Sequence, residues 1–132
     1  MAIRIVRLGS PRKRGEGPRL GTVRRPPRGV RKTRYAVENY YDVWLPNLAP
    51  SEKLVRLGKN ASSADDAGWR RFAARYRSEM NKPENRRLLE TLAALSADAN
   101  FSVGCYCQDE RRCHRSILRA ILKEHGAKVS AR

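Results

Sequence analysis

The segment 101–126 constrains the fold most, because an uncharged strand pattern passes through a polar loop into a helical pattern. Residues 101–107 carry no charged side chain and alternate apolar residues with Ser, Gly and Tyr, which predicts a buried strand. Residues 113–125 place apolar side chains at helical spacing, and Gly126 follows as a helix-ending residue. A strand, a loop and a helix in this order form the unit of parallel α/β sheets, whose binding sites lie at the strand ends.

Strand patterns also occur at both ends of the chain. Residues 3–8 alternate apolar and basic side chains, residues 20–23 follow a breaker-rich loop, and residues 127–129 form a short last run. Residues 40–48 are rich in aromatic and apolar side chains, but Pro46 excludes a helix interior. We therefore predict an irregular packed segment there, in which Trp44 suits the core better than a ligand contact.

Three helices are predicted between these strands. The first begins at Ser51 and ends at Gly58, the second covers 65–80 with Ser63 as its N-cap, and the third begins at Pro83. The second and third carry apolar stripes, formed by Trp69, Phe72, Ala73, Tyr76 and Met80 and by Leu88, Leu89, Leu92, Ala93 and Leu95. We predict a single small α/β domain over residues 1–132, with a mostly parallel sheet of three to four short strands flanked by four to five helices.

The net charge of +16 is concentrated at the start of the chain. The basic N-terminal segment (residues 1–34) holds 12 Lys and Arg side chains against one acid, Glu16. It includes a breaker-rich loop at 9–18, which we expect to be mobile, and a stiff proline-bearing loop at 24–32. Such a field attracts nucleic acid or phosphorylated small molecules. The segment contains no Phe, Tyr or Trp, which argues against base stacking.

Composition excludes several other classes of protein. No apolar run approaches the roughly 18 residues of a membrane span, and residues 1–7 lack the apolar core of a secretory signal. Three cysteines are an odd number and do not suit a disulfide framework. We therefore expect a cytoplasmic protein with no membrane partner and no cofactor.

The loop that leads into the last helix holds all three cysteines, and three interpretations compete. Cys105, Cys107, Cys113 and His114 are ligands of the kind that zinc binds, but adjacent residues at a helix start diverge by about 100°, so we predict no metal. Cys113 beside His114 and Arg115 at a helix N-terminus favours a thiolate, which makes it a candidate nucleophile. The same helix start also suits a phosphate or carboxylate. A plain alternative is that Cys105 and Cys107 are small buried hydrophobes.

Several separated motifs resemble one known family. They are, in order, the Pro27-Arg28-Gly29 loop, segments 41–46 and 48–51, the pattern Trp69-x-x-Phe72-x-x-x-Tyr76-x-x-Glu79, and Cys113-His114-Arg115. Together they resemble the YeaO-like bacterial family, a domain of unknown function numbered 488, over roughly residues 3–130. The resemblance implies a compact cytosolic α/β protein and brings no established activity. The chain departs from the family pattern where Arg25-Pro26-Pro27-Arg28-Gly29 stands in place of Leu-Trp-Pro-Arg-Gly.

We expect a site where the loop 24–31 meets the loop 107–115, with a phosphate- or carboxylate-bearing small molecule as partner. The expected ligand-binding residues are Arg24, Arg25, Arg28, Tyr41, Cys107 and Arg115, with Arg28 and Arg115 as bidentate clamps and Tyr41 as a stacking wall. Cys113 as a thiolate and His114 as a donor or general acid are the candidate catalytic pair.

Binding of a phosphorylated or nucleotide-like ligand is the leading function, and whether the protein is also an enzyme stays open at this point. One alternative is a nucleic-acid-binding module that uses the basic N-terminal segment. A second alternative is a thiol-based enzyme in which Cys113 is the nucleophile.

Overall fold

A four-stranded, all-parallel sheet forms the centre of the protein. The computed structural model describes residues 2–61 and 66–131, with side chains except at 58–61. The strands are β1 (Ile3–Arg7), β2 (Arg19–Gly21), β3 (Val43–Trp44) and β4 (Phe101–Cys105). Their spatial order is β1-β4-β2-β3, so the last strand in sequence lies between the first two. Val103 accordingly pairs with Ile5 on one side and with Leu20 on the other.

The described ranges contain four α-helices: α1 (Glu52–Ala61), α2 (Asp66–Met80), α3 (Pro83–Leu95) and α4 (His114–Glu124). Single 3-10 turns lie at Lys32–Arg34, Pro46–Leu48 and Glu110–Arg112. The predicted α/β class is therefore confirmed, as is the parallel sheet. No helix within 2–61 or 66–131 has the length and apolar character that crossing a bilayer requires.

The predicted helix ends are confirmed in part. Pro83 begins α3, and Gly126 follows α4 with a φ of 86°, the left-handed conformation typical of a helix-terminating glycine. The prediction that Gly58 ends the first helix is wrong, because the backbone of α1 continues to Ala61. A single glycine costs a helix only about 1 kcal/mol, which its neighbours can offset. The predicted N-cap, Ser63, lies outside the described residues.

One apolar core joins the sheet to the helices. The predicted stripe of α2 is confirmed at Phe72, Tyr76 and Met80, which are buried. On α3, Leu89, Leu92 and Ala93 are buried, but Leu95 is 52% exposed and its assignment to the stripe is wrong. Leu88 and Leu95 lie seven residues apart on the flank of the stripe. Leu95 is the last residue of α3, and no other element covers its side chain.

Three strand predictions differ from the structure. The second strand is displaced to Arg19–Gly21, and the last predicted strand reduces to one bridge between Ile3 and Val129. The segment expected to be irregular contains β3, whose Trp44 is 42% exposed, so the core position of Trp44 is wrong. β3 has only two residues and lies at the sheet edge, where one side has no neighbour to bury it.

A buried ion pair anchors the loop 9–18 to the sheet. Glu16 and Arg19 are 3% and 1% exposed, and the Glu16 carboxylate accepts a hydrogen bond from the Arg19 guanidinium. Arg19 Nη1 also donates to the carbonyls of Ser10 at 2.8 Å and Asn39 at 2.6 Å. The loop thus has a fixed attachment, while its mobility elsewhere stays a prediction.

Candidate functional site

The loop between β4 and α4 begins at the carboxyl edge of the parallel sheet, where such folds place binding sites. Its 3-10 turn is fixed to α4, because Arg119 Nε donates to the Glu110 carboxylate at 2.7 Å. Cys113 then acts as N-cap of α4 in an extended conformation, with φ −125° and ψ 152°. The loop therefore places the start of α4 next to the end of β4, and Cys113 lies beside Cys105.

Cys105 and Cys113 form a buried pair of thiols. Their Sγ atoms are 2.8 Å apart, and the residues are 2% and 3% exposed. Tyr41 packs with them in a small apolar cluster. Cys107 is exposed, yet it lies close enough to the buried thiols to shift their pKa values. The three sulfur atoms therefore connect the interior of the domain to its surface.

The three thiols differ in their pKa values. Hydrogen bonds from Cys105 and Cys107 lower the pKa of Cys113 to about 3, and the backbone N–H and charge of Arg115 act in the same direction against burial. Hydrogen bonds to Cys107 and Cys113 raise the pKa of Cys105. For Cys107, the bond to Cys105 lowers the pKa, but the bond to Cys113 and burial outweigh it. Cys113 is thus the thiolate of the cluster at neutral pH.

His114 is oriented by the backbone that follows β2. The residue is 7% exposed, and its Nε2–H donates to the Thr22 carbonyl at 2.8 Å. A carbonyl oxygen only accepts, so Nε2 carries the proton and Nδ1 has a free lone pair in the neutral ring. Nδ1 lies 3.7 Å from Cys113 Sγ. Burial lowers the pKa of His114 to about 4, so at neutral pH the ring is uncharged and lacks the second proton of a general acid.

Arg115 places a buried positive charge beside the sulfur atoms. The residue is 3% exposed, and its guanidinium donates to the Cys107 carbonyl. Burial lowers the pKa of Arg115, but the sulfur atoms of Cys105 and Cys113 raise it by more. Among the described residues, its Nε–H has no hydrogen-bond partner. The guanidinium therefore has one buried donor that no group of the described chain accepts.

Tyr41 reaches the cysteine pair because β2 has no side chain where the ring passes. A Cβ at Gly21 would lie 2.3 Å from Cδ2 of Tyr41, so only glycine leaves room. Tyr41 is 4% exposed, and burial together with Tyr35 raises its pKa. Within the described chain its hydroxyl has no hydrogen-bond partner. The Tyr41 ring is thus a buried wall of the cluster. Its hydroxyl is a second buried donor without a partner in the described chain, after Nε of Arg115.

A family model described as "DUF488-N3a: Active DUF488-N3 subclade" matches residues 3–126, which include all four strands and the Cys113-His114-Arg115 motif. The chain belongs to the DUF488 family. The resemblance indicated by the sequence motifs is thereby confirmed. No curated protein and no solved structure was found to match the chain.

In this DUF488 protein the arginines at the start of the loop 24–31 hold other backbone segments in place. The Arg24 guanidinium donates to three carbonyls within residues 46–50, at 3.0 to 3.2 Å. Arg25 pairs with Glu52 at 2.7 Å, and its carbonyl accepts from the Tyr106 hydroxyl at 2.9 Å. The contact between Arg25 and Tyr106 brings this loop against the start of the cysteine-bearing loop.

The two predicted clamps of the DUF488 site lie in different environments. Arg28 is exposed, whereas Arg115 is buried beside the thiols. Cys107, Cys113, His114 and Arg115 lie together, and Tyr41 joins them through Cys105 and Cys113. A cleft shared by Arg28 and Arg115 stays a prediction, as do the binding roles of Arg24 and Arg25.

The predicted divergence of Cys113 and His114 is wrong. Ligand atoms of Cys105, Cys113 and His114 all lie within 4.8 Å of one another, which makes these residues the set able to hold a soft metal. The expected divergence of Cys113 and His114 assumed that both were helical. Cys113 is extended, so the rotation of 100° per residue does not apply to it.

Two contributors to the candidate site were not predicted from the sequence. Thr22 supplies a backbone carbonyl, which no side-chain pattern reveals, and Tyr106 links the two loops. Outside the site, the burial of Arg19 with Glu16 was also not predicted, although this pairing had a signal in the sequence. Glu16 is the one acid of the basic N-terminal segment, and a lone acid among breakers and cations suits a specific ion pair.

A surface cavity of about 280 Å³ lies between α1 and α2, away from every predicted site residue. In its lining, the Glu79 carboxylate accepts hydrogen bonds from the Ser51 backbone at 2.9 Å and from the Ser51 hydroxyl at 2.5 Å. Ser51 in turn caps α1 through Leu54 N at 3.3 Å. These polar groups satisfy one another, so the cavity has a structural explanation.

Proposed function

We propose that this DUF488 protein binds a phosphorylated or nucleotide-like anion at the loop between β4 and α4, with Arg115 as its main cationic contact. The observation that carries the proposal is the Arg115 guanidinium, which is 3% exposed and has no partner for its Nε–H in the described chain. A buried donor left unpaired costs about 1 to 3 kcal/mol, so an anion that accepts from it relieves that cost on binding. Planar guanidinium groups match phosphate and carboxylate geometry.

The surroundings of Arg115 support an anion. It lies in the first turn of α4, an eleven-residue helix whose N–H groups and dipole favour negative charge at this end. The unsatisfied hydroxyl of Tyr41 borders the same cysteine pair and adds a neutral donor. Arg24 donates to backbone carbonyls and Arg25 pairs with Glu52. Both would therefore affect ligand binding by fixing the conformation of their loop.

Turnover of the ligand is the second part of the proposal. Cys113 lies beside a proton acceptor, Nδ1 of His114, and beside the positive charge of Arg115. This arrangement suits a thiolate nucleophile. The Cys113 thiolate would attack an electrophilic atom of the bound anion. Cys113 is 3% exposed, so the loop must admit the ligand before reaction.

Thermal unfolding of the purified protein with inorganic phosphate or AMP tests the binding. A ligand at a hundred times its Kd stabilises the folded state by about 2.7 kcal/mol, which raises the midpoint measurably. We expect Arg115→Gln to abolish this shift and Arg115→Lys to reduce it, since lysine lacks the planar fork. Arg86→Gln, on the exposed face of α3, is the matched control and should leave the shift unchanged.

The proposal is wrong if neither probe shifts the midpoint at millimolar concentration, or if both Arg115 variants respond like the wild type. Circular dichroism of each variant separates a lost ligand contact from a lost fold, and the lysine variant keeps the buried charge if the glutamine variant unfolds.

A further inference from the structure

We propose that Cys105 and Cys113 form a reversible disulfide by exchange with an external low-molecular-weight disulfide, and that Cys107 is the thiol at which the exchange begins. This is a redox activity, and it does not depend on the binding of an anion. It rests on three neighbouring thiols at the end of β4 and the start of α4, of which two are buried and one is exposed.

The sulfur atoms of the buried pair are already near bonding distance. The Sγ atoms of Cys105 and Cys113 are 2.8 Å apart, and a disulfide bond is about 2.05 Å long. Closing the bond therefore needs a shift of less than about 1 Å. Cys113 lies at the N-cap, before the first helical residue of α4, so this shift does not have to break the helix.

Access to the pair runs through Cys107. Cys105 and Cys113 are 2% and 3% exposed, so a bulky external disulfide reaches their sulfur atoms only slowly. Cys107 is exposed, follows Cys105 by two residues, and has its backbone carbonyl held by the guanidinium of Arg115, two residues after Cys113. An exposed thiol beside two buried thiols is able to pass a disulfide inward in successive exchanges.

The reaction balances in three exchanges. The Cys107 thiolate attacks one sulfur of R–S–S–R, forms a mixed disulfide and releases the first R–S⁻, which takes up the proton that Cys107 lost. The Cys113 thiolate then attacks the sulfur of Cys107 and releases the second R–S⁻, which is protonated from solvent. Finally the Cys105 sulfur attacks Cys113, its proton passes to the departing Cys107 thiolate, and the Cys105–Cys113 bond remains. Two protein thiols are oxidised, and one external disulfide is reduced to two thiols.

Two neighbours of Cys113 favour these steps. The positive guanidinium of Arg115 stabilises the attacking sulfur as a thiolate. Nδ1 of His114, 3.7 Å from Cys113 Sγ, is an acceptor for the thiol proton when Cys113 is not already ionised. Disulfides in reducing compartments are usually transient and catalytic or redox-sensing, which is the character proposed here.

Oxidised glutathione is the probe, and trypsin distinguishes the products. Arg111 and Arg112 lie between Cys107 and Cys113, so digestion without reductant separates peptide 88–111 from peptide 113–115. We expect the oxidised wild type to lose the mass of two hydrogens, to carry no glutathione, and to give these two peptides joined. Dithiothreitol should restore the original mass.

The variant Cys107→Ser is decisive, because it removes the exposed thiol and leaves both buried cysteines in place. In this variant joined peptides can arise only from Cys105–Cys113, and we expect them to form roughly tenfold more slowly without the accessible thiol. Cys105→Ser should stop at Cys107–Cys113 or at a glutathione adduct. Glutathione retained on Cys107 of the wild type, or joined peptides that form in Cys107→Ser at the wild-type rate or not at all, would overturn the proposal.

Discussion

Glu16 and Arg19 form an ion pair whose side chains are only 2% and 1% exposed, although both belong to the most charged part of the chain. The Glu16 carboxylate also accepts from the Lys13 backbone N–H at 2.9 Å, and the Arg19 guanidinium spreads its remaining donors over backbone carbonyls. Since Arg19 is the first residue of β2, the pair ties the basic loop to the sheet.

Replacing Glu16 with Gln should destabilise the protein strongly. The change leaves the Arg19 charge buried without its counter-ion, which typically costs about 3 to 5 kcal/mol. Urea unfolding measures this loss. The control is Glu52→Gln, which breaks the exposed pair with Arg25 and should cost less than about 1 kcal/mol. Equal losses in the two variants would contradict the structural role of the buried pair.

The same ion pair predicts a pH dependence of stability. Burial raises the pKa of Glu16, but the hydrogen bond and charge of Arg19 lower it by more, so the folded pKa lies below the unfolded one. Its contribution is therefore complete above the ordinary glutamate pKa of about 4.3 and is lost as the pH falls toward the folded value. The wild type should lose stability in this acidic window, whereas Glu16→Gln should lose less.

Cys113 should be the thiol that iodoacetamide modifies at low pH. With a pKa of about 3 it is a thiolate throughout the neutral range, while Cys105 and Cys107 have raised pKa values and keep their protons. We expect Cys113 to react at a slow rate that is nearly independent of pH between about 5 and 8, limited by burial. Peptide mapping after timed alkylation follows each site. First reaction at Cys107 at pH 6 would remove the basis for a Cys113 nucleophile.

The sequence could predict the regular helices and the central strand because their signals are periodic and long. The α2 stripe through Phe72, Tyr76 and Met80 follows from helical spacing alone. The two-residue β3 gave no such signal, since Val43 and Trp44 are too few to show a period and are both exposed. Short edge strands are defined by their neighbours in space and not by their own residues.

The candidate site could be located from the sequence, but its internal geometry could not. The order strand, polar loop, helix placed Cys113 at a helix start, and the structure has it there. The 2.8 Å contact between Cys105 and Cys113 depends on the path of the intervening turn. The state of His114 depends on the Thr22 carbonyl, 92 residues away in the chain. Long-range backbone contacts of this kind leave no local pattern.

Purified protein should contain no stoichiometric zinc, although Cys105, Cys113 and His114 cluster closely. Two thiolates on tetrahedral zinc lie about 3.8 Å apart, given Zn–S bonds of about 2.3 Å. The Cys105 and Cys113 sulfur atoms are 2.8 Å apart and would have to separate. Elemental analysis after purification without added metal or chelator checks this. About one zinc per chain would contradict both this prediction and the proposed disulfide exchange.

The nucleic-acid alternative makes its own prediction for the basic N-terminal segment. Arg12, Arg19 and Arg24 are engaged by Asp42, Glu16 and backbone carbonyls, so exposed Lys13, Arg14 and Arg28 are better probes of phosphate contacts. If the segment binds duplex DNA, replacing these three with Ala should weaken binding equally for unrelated sequences.

The salt dependence of that binding gives the sharper measurement. Each lost phosphate contact should reduce the slope of log affinity against log salt by about 0.9. Fluorescence anisotropy of labelled duplexes over a salt series provides the slope. No binding by the wild type at low salt, or the same slope for the triple variant, would exclude this alternative.

The position of β4 determines when the protein can acquire its structure during synthesis. β1 is synthesised early, but its partner in the sheet is β4, and until β4 is made β2 can pair only with the two-residue β3. Ile3 must therefore wait for Phe101, and such long-range parallel pairing is slow. Through this interval the chain exposes an apolar strand close in sequence to a dense positive charge, a combination that favours aggregation and non-specific binding until β4 completes the sheet.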